Sequence, residues 1–483
     1  MENKPGLQLK EQAEFIPFSA SFEFLKKLSE KETFTITSPY PTINNTTCEV
    51  RISDEWVAEM SGASIEGGKG FQPADFQHDQ YGFACPFVLS NGARLFSVPE
   101  GLSSFSWDIG KTGEVSGSFF ELINVKGNNK NYLRLVFEVS DTNFRLTDAY
   151  DTQPFKSETA FYAGGLLKFE VANAAIRMVT CRENEKSYLF IDSLTQMRYF
   201  EFTEMVKAIL VCNGICSGTL QRGKAIVLLS KVQDFSLIED WSYIKYAKSK
   251  VGAPVVRPTD LGQLVSDIPK DLRAVSADVL GKISTLAFQK PEFFRALSII
   301  CESNDTAIEV RTATYCVAME TLRNFILDDD KDYERPIKSK NTASKIRDSL
   351  IRALDEYSQA EFNDFNSVRK KIDNINQYGN TEGFLKMFEV CNIKLAPIDI
   401  ETLKKRNDFL HGRIPFTAVA AEENRELVMV LFRLHLLLSA LILRMGGYIG
   451  YYANNLRWKY RELSDEPVFR TFSDARDLYF PPR

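Results

Sequence analysis

Late in the chain the sequence reads Leu403-Lys404-Lys405-Arg406-Asn407-Asp408-Phe409-Leu410-His411-Gly412-Arg413, which gathers a histidine, arginines and small polar groups in one short segment. A histidine with an ordinary pKa near about 6.5 moves a proton at neutral pH. An arginine holds a phosphate through two parallel hydrogen bonds. The chain has three histidines, His78, His411 and His435, so proton-transfer chemistry has few homes. His78 stands in the polar stretch Gln77-His78-Asp79-Gln80 and reads as a solvated side chain. His435 follows Arg433 inside an apolar run and reads as a core histidine.

The segment must ride on a short basic helix, predicted from about Asp399 to His411 and ended by Gly412-Arg413-Ile414-Pro415. A helix terminus exposes the imidazole, and Asn407 places an amide directly after the arginine. Residues five apart on an ideal helix differ by about 140° around the axis. One copy therefore aims Arg406 and His411 at one phosphate poorly, and two copies facing each other across a symmetric interface do so more easily. The structural alternative is that Arg406 pairs with a nearby acid and His411 caps its helix.

The elements around this segment divide the chain in two. From about Phe15 to Ser230 the residues alternate or run in β-branched and aromatic clusters broken by Gly, Asn and Asp, which predicts strands. Leu133, Leu135, Phe137 and Val139 form an apolar row, with Arg134, Val136 and Glu138 on the other face. Ala175–Thr180 and Tyr188–Ile191 read as a hairpin turning through Glu183-Asn184-Glu185-Lys186, and Lys224–Leu229 as a buried closing strand. A helix from about Thr203 to Cys212, stopped at Gly214, interrupts the pattern. The expected architecture is a sandwich-like β domain over residues 1–245, a linker at 246–274 marked by Gly252-Ala253-Pro254, Arg257-Pro258 and Ile268-Pro269, and an all-α bundle over 275–460. Residues 461–483 form an aromatic, aperiodic tail read as a strap.

After the linker the period lengthens from two to nearly four. Helices are predicted at about Leu280–Glu302 (kinked or split at Pro291), Ala307–Leu327, Ala343–Tyr378, Thr381–Val390 and Glu422–Ile449. Ile346, Leu350, Ile351, Leu354 and Tyr357 form an apolar stripe for packing. The run Leu427–Leu443 is the most hydrophobic in the chain. Arg433 and His435 interrupt it and it falls short of the roughly 20 apolar residues a bilayer span needs, so it reads as a buried bundle helix and no membrane association is expected.

Composition excludes further classes. At 483 residues, 44% hydrophobic and 25% charged, the chain is an ordinary multidomain globular protein, and its net charge of −5 leaves nucleic-acid contact to a local patch such as Lys404, Lys405 and Arg413. Eight scattered cysteines and a polar start point to a reducing cytoplasm. Cys212 and Cys216 have no second pair and read as small apolar residues, with no metal or cofactor expected. Gly110-Lys111-Thr112 lacks the glycine five residues earlier, where Phe105 stands, so no phosphate-binding loop is formed. Gly67-Gly68-Lys69-Gly70 reads as a turn. Dinucleotide, zinc-protease and hydrolase-elbow motifs do not occur.

Arg406-Asn407-Asp408-Phe409-Leu410-His411 resembles the Arg-x(4–6)-His signature of HEPN (higher eukaryote and prokaryote nucleotide-binding) domains, including the frequent polar residue after the arginine. Leu410-His411-Gly412 looks like the ApeA-like branch of bacterial antiphage defence. The resemblance covers the helical part, about 275–460. It implies a metal-independent endoribonuclease working as a homodimer, in which a 2′-hydroxyl attacks the adjacent phosphate to leave a 2′,3′-cyclic phosphate and a 5′-hydroxyl. By that resemblance His411 exchanges protons with the attacking or leaving oxygen, Arg406 stabilises the phosphorane, Asn407 orients or hydrogen-bonds the phosphate, and Asp408 positions His411 or a group of the second copy, the alternative for it being a helix-surface acid. The β domain is then a sensor or targeting module for a phage-derived trigger. The rival reading is a non-catalytic recognition protein whose bundle only assembles a dimer.

Overall fold

In the computed structural model the described residues are 13–30, 32–37, 46–52, 58–64, 87–96, 106–107, 114–119, 121–124, 129–139, 146–221, 223–246, 253–254, 274–303, 306–329, 335–376, 380–410, 421–456 and 469–472. Most of the junction 246–274 and of the tail 461–483, together with Gly67–Gly70, His78 and Gly110–Thr112, lies outside them. The protein is α+β, with a mixed sheet in its N-terminal region and several helices in its C-terminal region. By compactness it divides into Met1–Leu297 with Gly446–Tyr448, and Ser298–Met445 with Ile449–Arg483.

In the first unit the predicted hairpin is present. Ala174–Glu183 pairs with Lys186–Ser193 and closes at Glu183 opposite Lys186. The two loop residues, Asn184 and Glu185, have φ of 47° and 66°, the tight turn whose twist matches the strands. Among the described residues the sheet order is Glu14–Phe15, Gln153–Lys156, Phe161–Val171, Ala174–Glu183, Lys186–Ser193, Tyr132–Val139, Gly223–Ser230, Ile238–Tyr246, Glu121–Asn124, Ala93–Phe96, Phe87–Leu89, Glu32–Thr37, Thr46–Ile52, Ala58–Ser64, Glu114–Phe119 and Ser106–Trp107. One unbroken hydrogen-bonded sheet thus stands where a sandwich-like pair of sheets was expected. Both halves contribute to a single apolar cluster that includes Phe34, Val50 and Leu122 from one half, and Val136, Phe155 and Phe190 from the other. Ile16, Phe18 and Leu28, which flank helix α1 (Ser19–Lys27), belong to the same cluster.

Two local expectations change for physical reasons. Gly223–Ser230 is a central strand, between Tyr132–Val139 and Ile238–Tyr246, and does not close the sheet. Tyr132–Val139 is covered on both faces, so Arg134 and Val136 are as buried as Leu133 and Leu135.

Helix α2 (Tyr199–Ser217) runs through Gly214 and ends at Gly218, whose φ of 79° suits a left-handed cap. Gly214 has a different task. A Cβ there would lie 2.9 Å from Leu220 Cδ1 and 3.1 Å from its Cα, so the missing side chain admits the neighbouring strand. Cys212 and Cys216 are fully buried on this helix, as small apolar residues would be.

Pro291 splits the next helix as predicted, into α3 (Ala277–Gln289) and α4 (Pro291–Glu302). Helix α3 falls in the first compact unit, which runs to Leu297. Its seat is built at Gly281, where a Cβ would meet the Glu170 carbonyl oxygen at 2.6 Å. Thr285 Oγ1 accepts a hydrogen bond from the Ala172 amide at 3.0 Å in the adjacent hairpin turn.

The second unit contains α5 (Ile308–Asp329), α6 (Lys340–Asp355), α7 (Phe365–Asp373), α8 (Asn380–Val390), α9 (Pro397–Leu410) and α10 (Ala421–Met445). The helix expected over 343–378 is broken. Ser358 caps a short 3-10 turn at Gln359–Glu361, and Asp364 accepts from the Ser367 amide at 2.9 Å to start α7. Helices α8, α9 and α10 pack on α5, and the apolar run of α10, 78% buried, is a core helix of this unit. The unit is not all-α: Tyr451–Ala453 pairs with Phe469–Thr471 from the tail, where Phe472 is buried, in keeping with a strap.

Candidate functional site

Pro397 opens α9 with the backbone angle a first helical turn needs, and Asp399 accepts from the Ala396 amide at 2.8 Å. Along α9 the buried side carries Asp399, Thr402, Leu403 and Arg406, the i, i+3, i+4, i+7 stripe of one helix face. The phase that buries Leu403 therefore buries Arg406, although its neighbours Lys404 and Lys405 are polar. Arg406 has no solvent exposure in the single chain. It is enclosed in the helical unit, whereas the sequence placed it on an open face opposite its own copy.

Three helices surround the guanidinium. Its carbon stands 3.7 Å from the centroid of the Phe384 ring on α8, a cation–π contact, and Arg323 of α5 approaches the same ring at 5.0 Å. Nη1 donates to the Leu403 carbonyl at 3.0 Å. Nη2 lies 3.8 Å from Glu320 Oε1, close enough for charge attraction and too long for a hydrogen bond. Among the described residues Nε and Nη2 have no hydrogen-bond acceptor. Burial lowers the pKa of Arg406, Glu320 counteracts this, and the Arg323 charge adds to the lowering. The same burial pushes the Cys316 thiol up to about 12, so it is an inert neighbour and no nucleophile.

The other candidate residues are placed as follows. Asn407 and Asp408 lie in the last turn of α9, with side chains outside the described residues, as are His411 and Arg413. Lys404 is exposed. Lys405 is half-buried and held by Glu426 at 2.6 Å and Glu401 at 3.2 Å, and its hydrogen bond to Glu426 is the main reason its pKa is raised. Its charge is therefore already matched within the chain. His435 is buried with its ring 6.0 Å from Tyr315, the core placement expected of it. Among the described residues no three His, Cys, Asp or Glu side chains gather as a metal ion would need.

Comparison with protein-family models, with curated proteins and with solved structures found no match for this chain.

Two buried ionic clusters escaped the sequence reading. In the sheet unit Asp192 receives Arg134 Nε at 2.8 Å and Nη2 at 3.0 Å, and Arg177 Nε at 2.9 Å and Nη2 at 2.6 Å. Arg134 Nη1 also donates to the Pro17 carbonyl at 3.1 Å and to Ser21 Oγ at 2.8 Å, while Arg177 reaches Glu14 at 3.2 Å. The cluster binds the first described segment to the sheet. No local signal marks it, because its members are far apart in sequence. In the helical unit Asp399 receives Arg433 Nη1 at 3.2 Å and Arg470 Nη1 at 2.7 Å. That cluster had a signal: an arginine inside the apolar run of α10 must find an acid.

Proposed function

We propose that the chain is an endoribonuclease of the HEPN type that needs no metal or cofactor, in which Arg406 receives a substrate phosphate and His411 moves the protons. The observation that supports this reading is the pair of unmatched donors on Arg406. A buried guanidinium nitrogen without an acceptor costs on the order of 1–3 kcal/mol, and such a cost is retained where it serves function. Two donors converging on one missing acceptor suit a phosphate oxygen. His411, five residues on, supplies the acid–base group that strand cleavage by a 2′-hydroxyl requires: its base form takes the hydroxyl proton, the bond from phosphorus to the 5′-oxygen breaks, and that oxygen takes up a proton. Substrate reaches Arg406 only when the groups covering it move aside. In this reading the protein is a cytoplasmic homodimer serving antiphage defence, its sheet unit senses a phage-derived trigger, and Lys404 and Arg413 bind RNA beside the site.

The enclosure of Arg406 favours a second reading. With its guanidinium against Phe384 and on the Leu403 carbonyl, it can serve as an internal brace in a bundle that only binds or dimerises. Incubating RNA with the full chain in chelator, and mapping the 3′ ends produced, separates the two. Cyclic phosphate ends lost in His411→Ala, with unchanged thermal unfolding, support the enzyme. Equal cleavage by wild type and His411→Ala, or none in cells where the chain exerts its effect, sinks it.

A further inference from the structure

Among the described residues four arginines are buried, Arg134, Arg177, Arg406 and Arg433. Three of them meet a fully buried aspartate within hydrogen-bond reach: Arg134 and Arg177 stand 2.8 and 2.6 Å from Asp192, and Arg433 stands 3.2 Å from Asp399. Arg406 is matched differently. Its acid is Glu320 of α5, 3.8 Å from Nη2, and 37% of the Glu320 side chain is exposed. At that distance the carboxylate attracts the charge and accepts no hydrogen bond.

The edge of Arg406 left open is the one that binds an acid elsewhere in the chain. Arg134 holds the two oxygens of Asp192 through Nε at 2.8 Å and Nη2 at 3.0 Å. On Arg406 the same two nitrogens have no acceptor among the described residues. The neighbourhood favours an anion there. Arg323, one turn beyond Glu320 on α5, approaches the Phe384 ring on which Arg406 stacks, and its charge opposes that of Arg406. A phosphodiester brings one negative charge and two non-bridging oxygens, enough for both nitrogens. A half-exposed glutamate can turn into solvent to admit it, which the enclosed Asp192 and Asp399 cannot.

We propose that Glu320 is an internal stand-in for the phosphate: it shields Arg406 in the unliganded chain and turns to solvent when a phosphodiester takes Nε and Nη2. The carboxylate is then a gate as well as a counter-charge, because each incoming phosphate must displace it. Its occupancy lowers the apparent affinity of the site in proportion to the fraction of molecules it blocks. The gate rests on the reading of Arg406 as a phosphate-holding residue, and it operates whether or not strand cleavage follows.

Fluorescence anisotropy of the full chain with a labelled 2′-O-methyl RNA tests it, because this probe offers phosphodiesters and no attacking hydroxyl. Glu320→Gln keeps the shape and removes the charge, and should tighten binding by about three- to tenfold. Glu309→Gln, which removes an exposed acid from the first turn of the same helix, should leave the affinity unchanged. The gain from Glu320→Gln should vanish in the Arg406→Met background. Unchanged or weaker binding by Glu320→Gln, an equal gain from Glu309→Gln, a gain that survives Arg406→Met, or no binding by any variant overturns the gate. Incubation with cleavable RNA keeps the two readings apart. A chain that shows the gain and never cuts loses the ribonuclease and keeps the gate, whereas cyclic phosphate ends without the gain sink the gate alone.

Discussion

The Arg406 guanidinium carbon stands 3.7 Å from the centroid of the Phe384 ring, and two of the guanidinium's nitrogens have no acceptor among the described residues. The ring supplies electrostatic attraction and no lone pair, so the charge is held while its hydrogen-bonding capacity stays unspent. The two roles open to Arg406, holding a ligand and bracing the bundle, differ in what its removal does to stability.

Replacing Arg406 with methionine keeps most of the side-chain volume and removes the unmatched donors. If they await a ligand, Arg406→Met should be neutral or stabilising by about 1–3 kcal/mol in urea unfolding while abolishing activity. A loss of stability above about 3 kcal/mol would assign the arginine to the bundle's internal bracing instead.

Asp192 should make the sheet unit sensitive to acid. Burial alone would raise its pKa, but the Arg134 and Arg177 charges outweigh that and hold the carboxyl below its ordinary value. A lowered folded pKa contributes stability that is complete above the unfolded value, near about 4, and is lost as pH falls through the folded one. The urea midpoint should therefore fall as pH drops below about 4. Asp192→Asn leaves the buried Arg134 without a counter-charge and Arg177 with Glu14 alone, and should cost about 3–5 kcal/mol at neutral pH.

Gly281→Ala improves intrinsic helix propensity and should nevertheless destabilise the protein. The added methyl would press on the Glu170 carbonyl oxygen, 2.6 Å from the ideal Cβ. A loss of about 1–3 kcal/mol in thermal unfolding is expected. A gain would show that α3 is not seated against the strand.

Arg470 fastens the tail strand to Asp399. Arg470→Ala leaves Asp399 paired with Arg433, so the helical core should persist while the strand Phe469–Thr471 loosens. Limited proteolysis should cut the variant near this strand faster than the wild type. Equal rates would mean that backbone pairing with Tyr451–Ala453 suffices.

Local chemistry made several elements legible from sequence. The Asn184-Glu185 turn, the break at Pro291 and the helix predicted from about Asp399 each depend on residues a few positions apart, whose backbone preferences act before any packing. The shift in hydrophobic period marked where strands give way to helices. Near Ala343–Tyr378 the same reasoning failed, because Ser358 and Asp364 cap new helical starts inside a pattern that looked continuous.

What the sequence by itself determined was therefore a strand-rich half followed by a helical one, the position of Arg406 on a short helix, and the core role of the α10 run. Only the tertiary structure decided that the strands join one sheet, that α3 belongs with it, and that Arg134 meets Asp192, 58 residues away. It also decided that Arg406 is buried. The polar run around it reads as a surface, and its burial depends on which face of α9 meets α5 and α8. Period and capping act over a few residues, whereas the partner of a charge is chosen by packing between segments that sequence distance does not bring together.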